Sequence, residues 1–172
     1  GTRHIIDTLN AQGYAIDQLN MTGGHARSPL LVQIYADATG CDVMLPREGD
    51  AVLLPKVDDP AQLDELAAIT GDLPIWAMME TPRGMLNAAA IAAHSNLQGM
   101  VMGTNDLAKE LQTRFRADRL PMMAGLGLCL LAAKAEGCII VDGVYNAYLD
   151  ENGLQEECVQ GRQMGFDGKT LI

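Results

Sequence analysis

Segments of strand length alternate regularly with helical segments from Ala51 to the end of the chain. Residues 52–54 and 74–79 are strongly apolar, and each run is followed by a segment with the apolar periodicity of a helix. An apolar run without alternation predicts a strand that is covered on both faces. Regular alternation of such strands with helices is typical of consecutive β/α units. The predicted fold class is therefore α/β with a mainly parallel sheet.

The other elements follow from capping residues, glycines and periodicity. Further strands are predicted at 15–21, 42–45, 97–102, 138–141 and 169–172. Helices are predicted at 4–12, 28–40, 60–71, 81–93, 105–111, 121–136 and 153–164. A compositional seam at 46–50 precedes the regular β/α pattern.

Length and charge narrow the classes of function. A chain of 172 residues, 48% of them hydrophobic, is long enough to bury one core. A formal net charge of −10 leaves no basic surface for nucleic acid or anionic lipid. The most apolar stretch, 121–135, is shorter than the ~20 residues of a membrane span. The 4 cysteines lack C-x-x-C spacing and the N-terminus lacks an apolar leader, so we expect reduced thiols in a cytoplasmic protein.

Two carboxylates follow two successive predicted strands. Glu80 comes directly after the strand at 74–79, and Asp106 comes shortly after the strand at 97–102. Carboxyl ends of parallel strands meet at one edge of a sheet, ~4.8 Å apart for neighbours, so both side chains can reach one cation. Mg²⁺ suits such a pair, because it takes one or two carboxylates and completes its shell with water and substrate oxygens. Alternatively, Asp106 or Asn105 caps the following helix, and Glu80 is an ordinary strand-end carboxylate.

Four blocks resemble, in order, blocks of the citrate lyase β-subunit and malyl-CoA lyase family, which is allied to the pyruvate-type aldolases. They are L-P-K-V at 54–57, M-E-T-P-R-G at 79–84, G-T-N-D-L at 103–107 and G-F-D-G-K at 165–169. The resemblance covers the segment from 51 to 172. It implies a TIM barrel and Mg²⁺-dependent cleavage or formation of a carbon–carbon bond beside a carbonyl group, often with a CoA thioester.

The resemblance also implies roles for particular residues. Glu80 and Asp106 match the metal-binding carboxylates of the family. Gly103, Thr104 and Asn105 match the loop that faces the substrate carboxylate. Small-molecule substrates, rather than nucleic acid or membrane, are the partners that follow from this match.

Parts of the family pattern are missing from this sequence. We find neither the early strand with the enolate-stabilising arginine nor the acidic D-L-E-D type block. A closed (βα)₈ barrel typically needs about 250 residues. The sequence therefore predicts a partial barrel, a lyase-like scaffold with impaired or lost catalysis, and open sheet edges that favour a homo-oligomer.

The segment at 1–50 resembles a different family, the sugar kinases of the glycerol kinase and ribulokinase type. L-N-M-T-G-G at 19–24, with the helix at 28–40 that follows it, is similar to their C-terminal lobe. The resemblance implies that Gly23 and Gly24 lie against a nucleotide, although glycines that only permit a tight turn are an alternative. Resemblance to parts of two different enzyme families predicts a fused, recombined or engineered chain. We expect segments 1–50 and 51–172 to fold together as one domain.

A group of three arginines and one aspartate each allow a functional and a structural interpretation. Arg114, Arg116 and Arg119 fall in one loop, where they could meet the phosphates of a CoA-like ligand or form a solvated charged surface. Asp142 stands at a strand end, as a site acid or as a residue that caps a turn at Gly143.

Overall fold

The computed structural model describes residues 2–11, 13, 16, 18–20, 33–34, 36–38, 42–44 and 51–171. Two compact units are present, Gly1–Asp50 and Ala51–Ile172. The division falls where the regular β/α pattern begins in the sequence. That the two segments fold together as one domain stays a prediction.

The described part of the first unit contains an N-terminal helix, a pair of short strands and a second group of helical residues. Helix α1 spans Thr2–Ala11, and strands β1 (Gln18–Asn20) and β2 (Asp42–Met44) pair in parallel. Residues 33–34 and 36–38 are helical, within the predicted helix at 28–40. Gly23 and Gly24, the predicted nucleotide-binding residues, lie outside the described residues.

The second unit is a parallel five-stranded sheet with helices between the strands, in the order β3-β4-β5-β6-β7. Its strands are β3 (Val52–Leu54), β4 (Ile75–Met79), β5 (Leu97–Met102), β6 (Ile139–Asp142) and β7 (Gly168–Lys169). Its helices are α2 (Ala61–Thr70), α3 (Pro82–Leu86), α4 (Ala88–Ala92), α5 (Thr104–Glu110), α6 (Met123–Glu136) and α7 (Glu151–Met164), with a 3₁₀ helix at Leu120–Met122. The predicted α/β class with a parallel sheet is confirmed.

The core of the second unit lies between the sheet and its helices. Ile75, Ala77 and Met79 of β4 are fully buried, while the residues between them are partly buried. Helix α6 packs against α3 and α4, and Cys129 Sγ lies 3.2 Å from Met85 Sδ in that contact. The apolar run at 74–79 therefore forms the covered strand that its composition predicts. The partial-barrel interpretation stays a prediction.

One predicted helix is wrong in its continuity. The segment predicted as a single helix at 81–93 is divided into α3 and α4 at Asn87. The Asn87 side chain donates a 2.6 Å hydrogen bond to the carbonyl oxygen of Asp58, 29 residues earlier in the chain. This contact belongs to the tertiary structure, so local periodicity does not indicate it. Within the described residues, no helix is both long and apolar enough to cross a bilayer.

Candidate functional site

The ends of β4 and β5 bring Glu80 and Gly103 side by side. Met79 and Met102 are register partners, and the Gly103 N–H donates a 2.8 Å hydrogen bond to the carbonyl oxygen of Met79. A Cβ atom on Gly103 would lie 2.4 Å from Cβ and 2.6 Å from Oε2 of Glu80. Such separations are far inside van der Waals contact, so the observed position of Glu80 requires a glycine at 103.

Glu80 is a buried carboxylate at this edge, with 7% of its surface exposed. Its Oε1 accepts a 2.9 Å hydrogen bond from the main-chain N–H of Lys56, which follows β3. Lys56 has a φ of 49°, an uncommon left-handed conformation for a non-glycine residue. Among the described residues, no donor is bonded to Oε2 of Glu80, so one oxygen of this carboxylate is available for another ligand.

Asp106 lies in the first turn of α5 and does not cap it. The helix begins at Thr104, its N-cap is Gly103, and no side chain bonds there. The capping alternative for Asp106 or Asn105 is therefore wrong. The Asp106 side chain is 43% exposed, and its Oδ1 lies 3.4 Å from Nζ of Lys56.

Lys56 connects the two predicted metal ligands. Its main-chain N–H bonds Glu80, and its ammonium group lies 3.4 Å from Asp106 and 3.3 Å from Oε1 of Glu110. The hydrogen bond with Glu110 is the largest cause of the rise in the pKa of Lys56 above its usual value. Glu80 and Asp106 thus reach the same residue at one edge of the sheet.

The donor set has the chemistry that Mg²⁺ requires. Two carboxylates each keep an oxygen that no described donor bonds, and Mg²⁺ fills its remaining positions with water or substrate oxygens. In the part of the chain that the structure describes, no cluster of three or more His, Cys, Asp or Glu side chains is suited to a metal. The ligand pair fits Mg²⁺ better than a closed cage for Zn²⁺.

Thr104 and Asn105, predicted to face the substrate, have different surroundings. Thr104 is 4% exposed, and its Oγ1 would lie 2.6 Å from a Cβ placed on Gly143. Asn105 is exposed and exchanges hydrogen bonds of 3.1 and 2.8 Å with the side chain of Asn146. The loop after β6 is therefore held directly beside the loop after β5. Substrate contacts by Gly103, Thr104 and Asn105 stay a prediction.

Asp142 and Arg119 form a buried ion pair near the same edge. Their side chains are 1% and 3% exposed, and Arg119 Nη1 lies 2.7 and 2.6 Å from the two carboxylate oxygens. Asp142 Oδ1 also accepts a 2.8 Å bond from the Gly143 N–H, as the turn alternative expects. Lys169 contacts both Asp142 and Glu157, which completes a network of two cations and two anions. Arg119 therefore holds protein carboxylates instead of a ligand phosphate.

The remaining arginines of the predicted loop are at the surface. Arg116 makes a bidentate pair with Asp118 at 2.9 and 2.7 Å, and this pairing lowers the pKa of Asp118 to about 2. Arg114 is exposed. An interaction of Arg114 or Arg116 with CoA phosphates stays a prediction.

Comparison with protein families assigns this chain to one of them. The model of the HpcH/HpaI aldolase/citrate lyase family matches residues 13–172. The chain belongs to this family. Because the match begins at residue 13, it includes most of the segment that resembles sugar kinases, and no comparison supports a sugar-kinase lobe or a chimera.

Two curated relatives match most of the length of this chain. The chain is 70% identical over 125 residues to a (3S)-malyl-CoA thioesterase of Cereibacter sphaeroides, over 73% of this chain and 44% of the relative. It is 30% identical over 135 residues to the citrate lyase subunit beta of Leuconostoc mesenteroides, over 72% of this chain and 45% of that protein. The chain spans less than half the length of these two relatives.

Solved structures of the family share the fold. The citrate lyase β subunit from Mycobacterium tuberculosis has a TM-score of 0.64 and 33% identity, over 90% of this chain and 66% of that one. A structure of the M. tuberculosis protein with oxaloacetate and magnesium has a TM-score of 0.64 and 29% identity, over 97% and 73% of the two chains. Another, with magnesium, acetoacetate and coenzyme A, has a TM-score of 0.63 and 28% identity, over 97% and 61%.

The contacts of Lys56 with Glu80, Asp106 and Glu110 were not predicted from the sequence. The residue stands in the L-P-K-V block, where no site residue was predicted. The position of Lys56 in the chain could have indicated these contacts, because Lys56 follows β3, and β3 is adjacent to β4 in the sheet. A residue at the carboxyl end of a neighbouring parallel strand is expected near the same site.

Proposed function

We propose that this chain carries the divalent-metal centre of a family carbon–carbon lyase or thioester-cleaving enzyme, with Glu80 and Asp106 as the metal-holding side chains. The observation that carries the proposal is their convergence on Lys56 at the carboxyl end of a parallel sheet. Related structures that contain magnesium support the choice of metal.

Glu80 and Asp106 contribute differently to such a centre. Glu80 is buried and oriented by the Lys56 N–H, so it provides a fixed ligand. Asp106 is partly exposed on the first turn of α5, so it can adjust as the ligand shell fills. When bound, Mg²⁺ would polarise the carbonyl and carboxylate oxygens of a substrate.

The loop after β5 is the proposed substrate-binding segment. Gly103 allows the substrate and Glu80 to approach the same backbone, because it has no side chain at that point. In the first turn of α5, Thr104 is buried, and exposed Asn105 presents an amide whose partner is Asn146. An incoming carboxylate would take over hydrogen bonds from this exposed amide pair.

The proposed substrates are acyl-CoA thioesters or 2-oxo acids. The relative with 70% identity is named a (3S)-malyl-CoA thioesterase, and the related M. tuberculosis structures contain oxaloacetate or acetoacetate with coenzyme A. These ligands share a carboxylate or carbonyl oxygen beside the bond that changes, which is the feature a Mg²⁺ centre recognises. The choice between thioester hydrolysis and carbon–carbon cleavage is open to experiment.

An assay with (3S)-malyl-CoA tests the function. Thiol release without acetyl-CoA indicates hydrolysis, whereas acetyl-CoA formation indicates carbon–carbon cleavage. We expect any turnover to require Mg²⁺ and to be lost in Glu80→Gln, with Glu65→Gln, an exposed carboxylate of α2, as the matched control. Turnover that survives both chelation and Glu80→Gln would refute the metal assignment.

Impaired catalysis belongs to the same proposal. The block with the enolate-stabilising arginine of the family is not found in this sequence. We expect Mg²⁺ binding with weak turnover or none. Turnover comparable to that of the full-length relative would contradict this part of the proposal and leave the metal site intact.

The sugar-kinase and chimera hypotheses have less support. The lyase family model covers residues 13–172, and phosphoryl transfer has no catalytic aspartate or phosphate-binding hairpin in this sequence. ATP binding that is lost in Gly24→Val would revive the nucleotide-binding hypothesis. Calorimetric titration with ATP that gives no heat beyond dilution would end it.

A further inference from the structure

Lys56 is the point where three carboxylates converge in the described part of the second unit. Glu80 accepts its main-chain N–H at 2.9 Å, and its Nζ lies 3.4 Å from Asp106 and 3.3 Å from Glu110. The ammonium group therefore already provides a positive charge beside a proposed metal ligand. The following inference rests on the proposed Mg²⁺ function of that ligand pair.

The backbone of Lys56 is held by two hydrogen bonds, whereas its side chain is half-exposed. The N–H is bonded to Glu80, and the carbonyl oxygen accepts a 3.3 Å bond from Nε2 of Gln62. The side chain is 52% exposed. The lysine therefore stays tethered beside the site, and its long, half-solvated stem allows the ammonium group to change partners.

Glu110 offers the ammonium group a second position. It stands four residues after Asp106 on α5, and residues with this spacing lie one above the other on a helix face. Lys56 Nζ lies at nearly equal distances from the two carboxylates. A small rotation of the side chain can therefore transfer the ammonium group from Asp106 to Glu110 without any movement of the backbone.

We propose that Lys56 is an intramolecular counter-cation that competes with the divalent metal for Asp106, and that Glu110 receives the ammonium group when the metal binds. In the metal-free protein, the ammonium group offsets the repulsion between Asp106 and the neighbouring carboxylates. A divalent cation on Asp106 repels that ammonium group, because two positive charges would then lie close together on the two oxygens of one carboxylate. Lys56 thus sets the metal affinity of the site and keeps it charge-balanced when it is empty.

Calorimetric titration of Mg²⁺ into the purified 172-residue chain tests the proposal. We expect Lys56→Met to bind Mg²⁺ more tightly than wild type by roughly three- to tenfold, the size of a charge repulsion across a hydrated site. Lys56→Arg keeps the charge and should keep an affinity near that of wild type. Lys134→Met, at a half-exposed lysine in the last turn of α6 that pairs with Asp167, removes the same net charge away from the site and should change the affinity much less.

A double-mutant cycle tests the part played by Glu110. Glu110→Gln removes the second position, so Lys56 stays on Asp106 and Mg²⁺ binds more weakly. In a Lys56→Met background, most of this loss should disappear, because Glu110 acts through the ammonium group. An equal loss in both backgrounds would mean that Glu110 acts by its own charge, and would overturn the exchange of partners.

The outcomes separate this inference from the proposed function. Unchanged or weaker Mg²⁺ binding by Lys56→Met, with wild type binding normally, overturns the counter-cation and leaves the metal site standing. Absence of Mg²⁺ binding in wild type and in every variant overturns both. Circular dichroism spectra that match wild type confirm that each variant is folded, and Lys56→Gln provides a second neutral side chain.

Discussion

Gly103 lies so close to Glu80 that a methyl group at 103 would fall 2.4 Å from the Glu80 Cβ. The Cβ of Glu80 is fixed by the backbone of β4, so a rotation of the Glu80 side chain cannot relieve the contact. Strand register creates the approach, because Met79 and Met102 are paired and the next residue of each strand is at the site.

Gly103→Ala is therefore expected to displace Glu80. The loops must separate, which weakens Mg²⁺ binding by roughly tenfold or more and destabilises the fold by about 1–3 kcal/mol, the usual cost of overpacking. Calorimetry measures the first effect, and urea denaturation measures the second. Gly103→Ala with normal metal affinity would show that the close approach does not position the ligand.

Gly127 contrasts with Gly103, because a side chain added at Gly127 would meet no neighbouring atom. A Cβ at this position in α6 would have no heavy atom within 4 Å, whereas a Cβ at Gly125 would lie 3.2 Å from Cγ of Met85. Gly127→Ala should raise the free energy of unfolding by about 0.5–1 kcal/mol, since alanine loses less backbone entropy in a helix. Gly125→Ala should raise the free energy of unfolding less than Gly127→Ala, or lower it, because its methyl group would press on Met85. Equal gains at both positions in urea denaturation would contradict the packing of α6 on α3.

The buried pair of Arg119 and Asp142 should dominate the electrostatic stability of the unit. Arg119→Met leaves a buried carboxylate partly uncompensated, and such changes typically cost about 3–5 kcal/mol. Arg116→Met, which breaks the exposed pair with Asp118, should have a much smaller effect. Thermal and urea denaturation compare the two variants. Similar losses in both would mean that burial of the Arg119 pair has no energetic consequence.

Cys129 should be unreactive in the folded protein. Burial raises the pKa of its thiol to about 12, so near pH 8 the thiol stays protonated and unreactive. We expect no alkylation of Cys129 by iodoacetamide under native conditions, and full alkylation in concentrated urea, by peptide mass spectrometry. Rapid native labelling of Cys129 would show that this part of the core opens readily.

Most element positions follow from local sequence patterns. The apolar run at 74–79 contains β4, and the predicted strand at 97–102 coincides with β5. Periodicity and glycine punctuation act over a few residues, so a single sequence contains this information. The same local rules place Glu80 and Gly103 at strand ends.

Contacts between distant residues are the part that the sequence did not predict. Lys56 and Asp106 are 50 positions apart, and Arg119 and Asp142 are 23 apart. No sequence spacing predicts either contact, because each depends on how the strands and helices pack. The predicted start of α7 at Gly153 is also wrong. The helix begins at Glu151, because the Asp150 side chain accepts a hydrogen bond from the Gly153 N–H and caps it.

The metal site is tested most directly by calorimetric titration of Mg²⁺ into wild type, Glu80→Gln, Asp106→Asn and the control Glu65→Gln. We predict one Mg²⁺ site in wild type and in the control, and no measurable binding in the other two variants. Mg²⁺ binding that survives both Glu80→Gln and Asp106→Asn, or that is absent from wild type, would contradict the assignment of these two carboxylates.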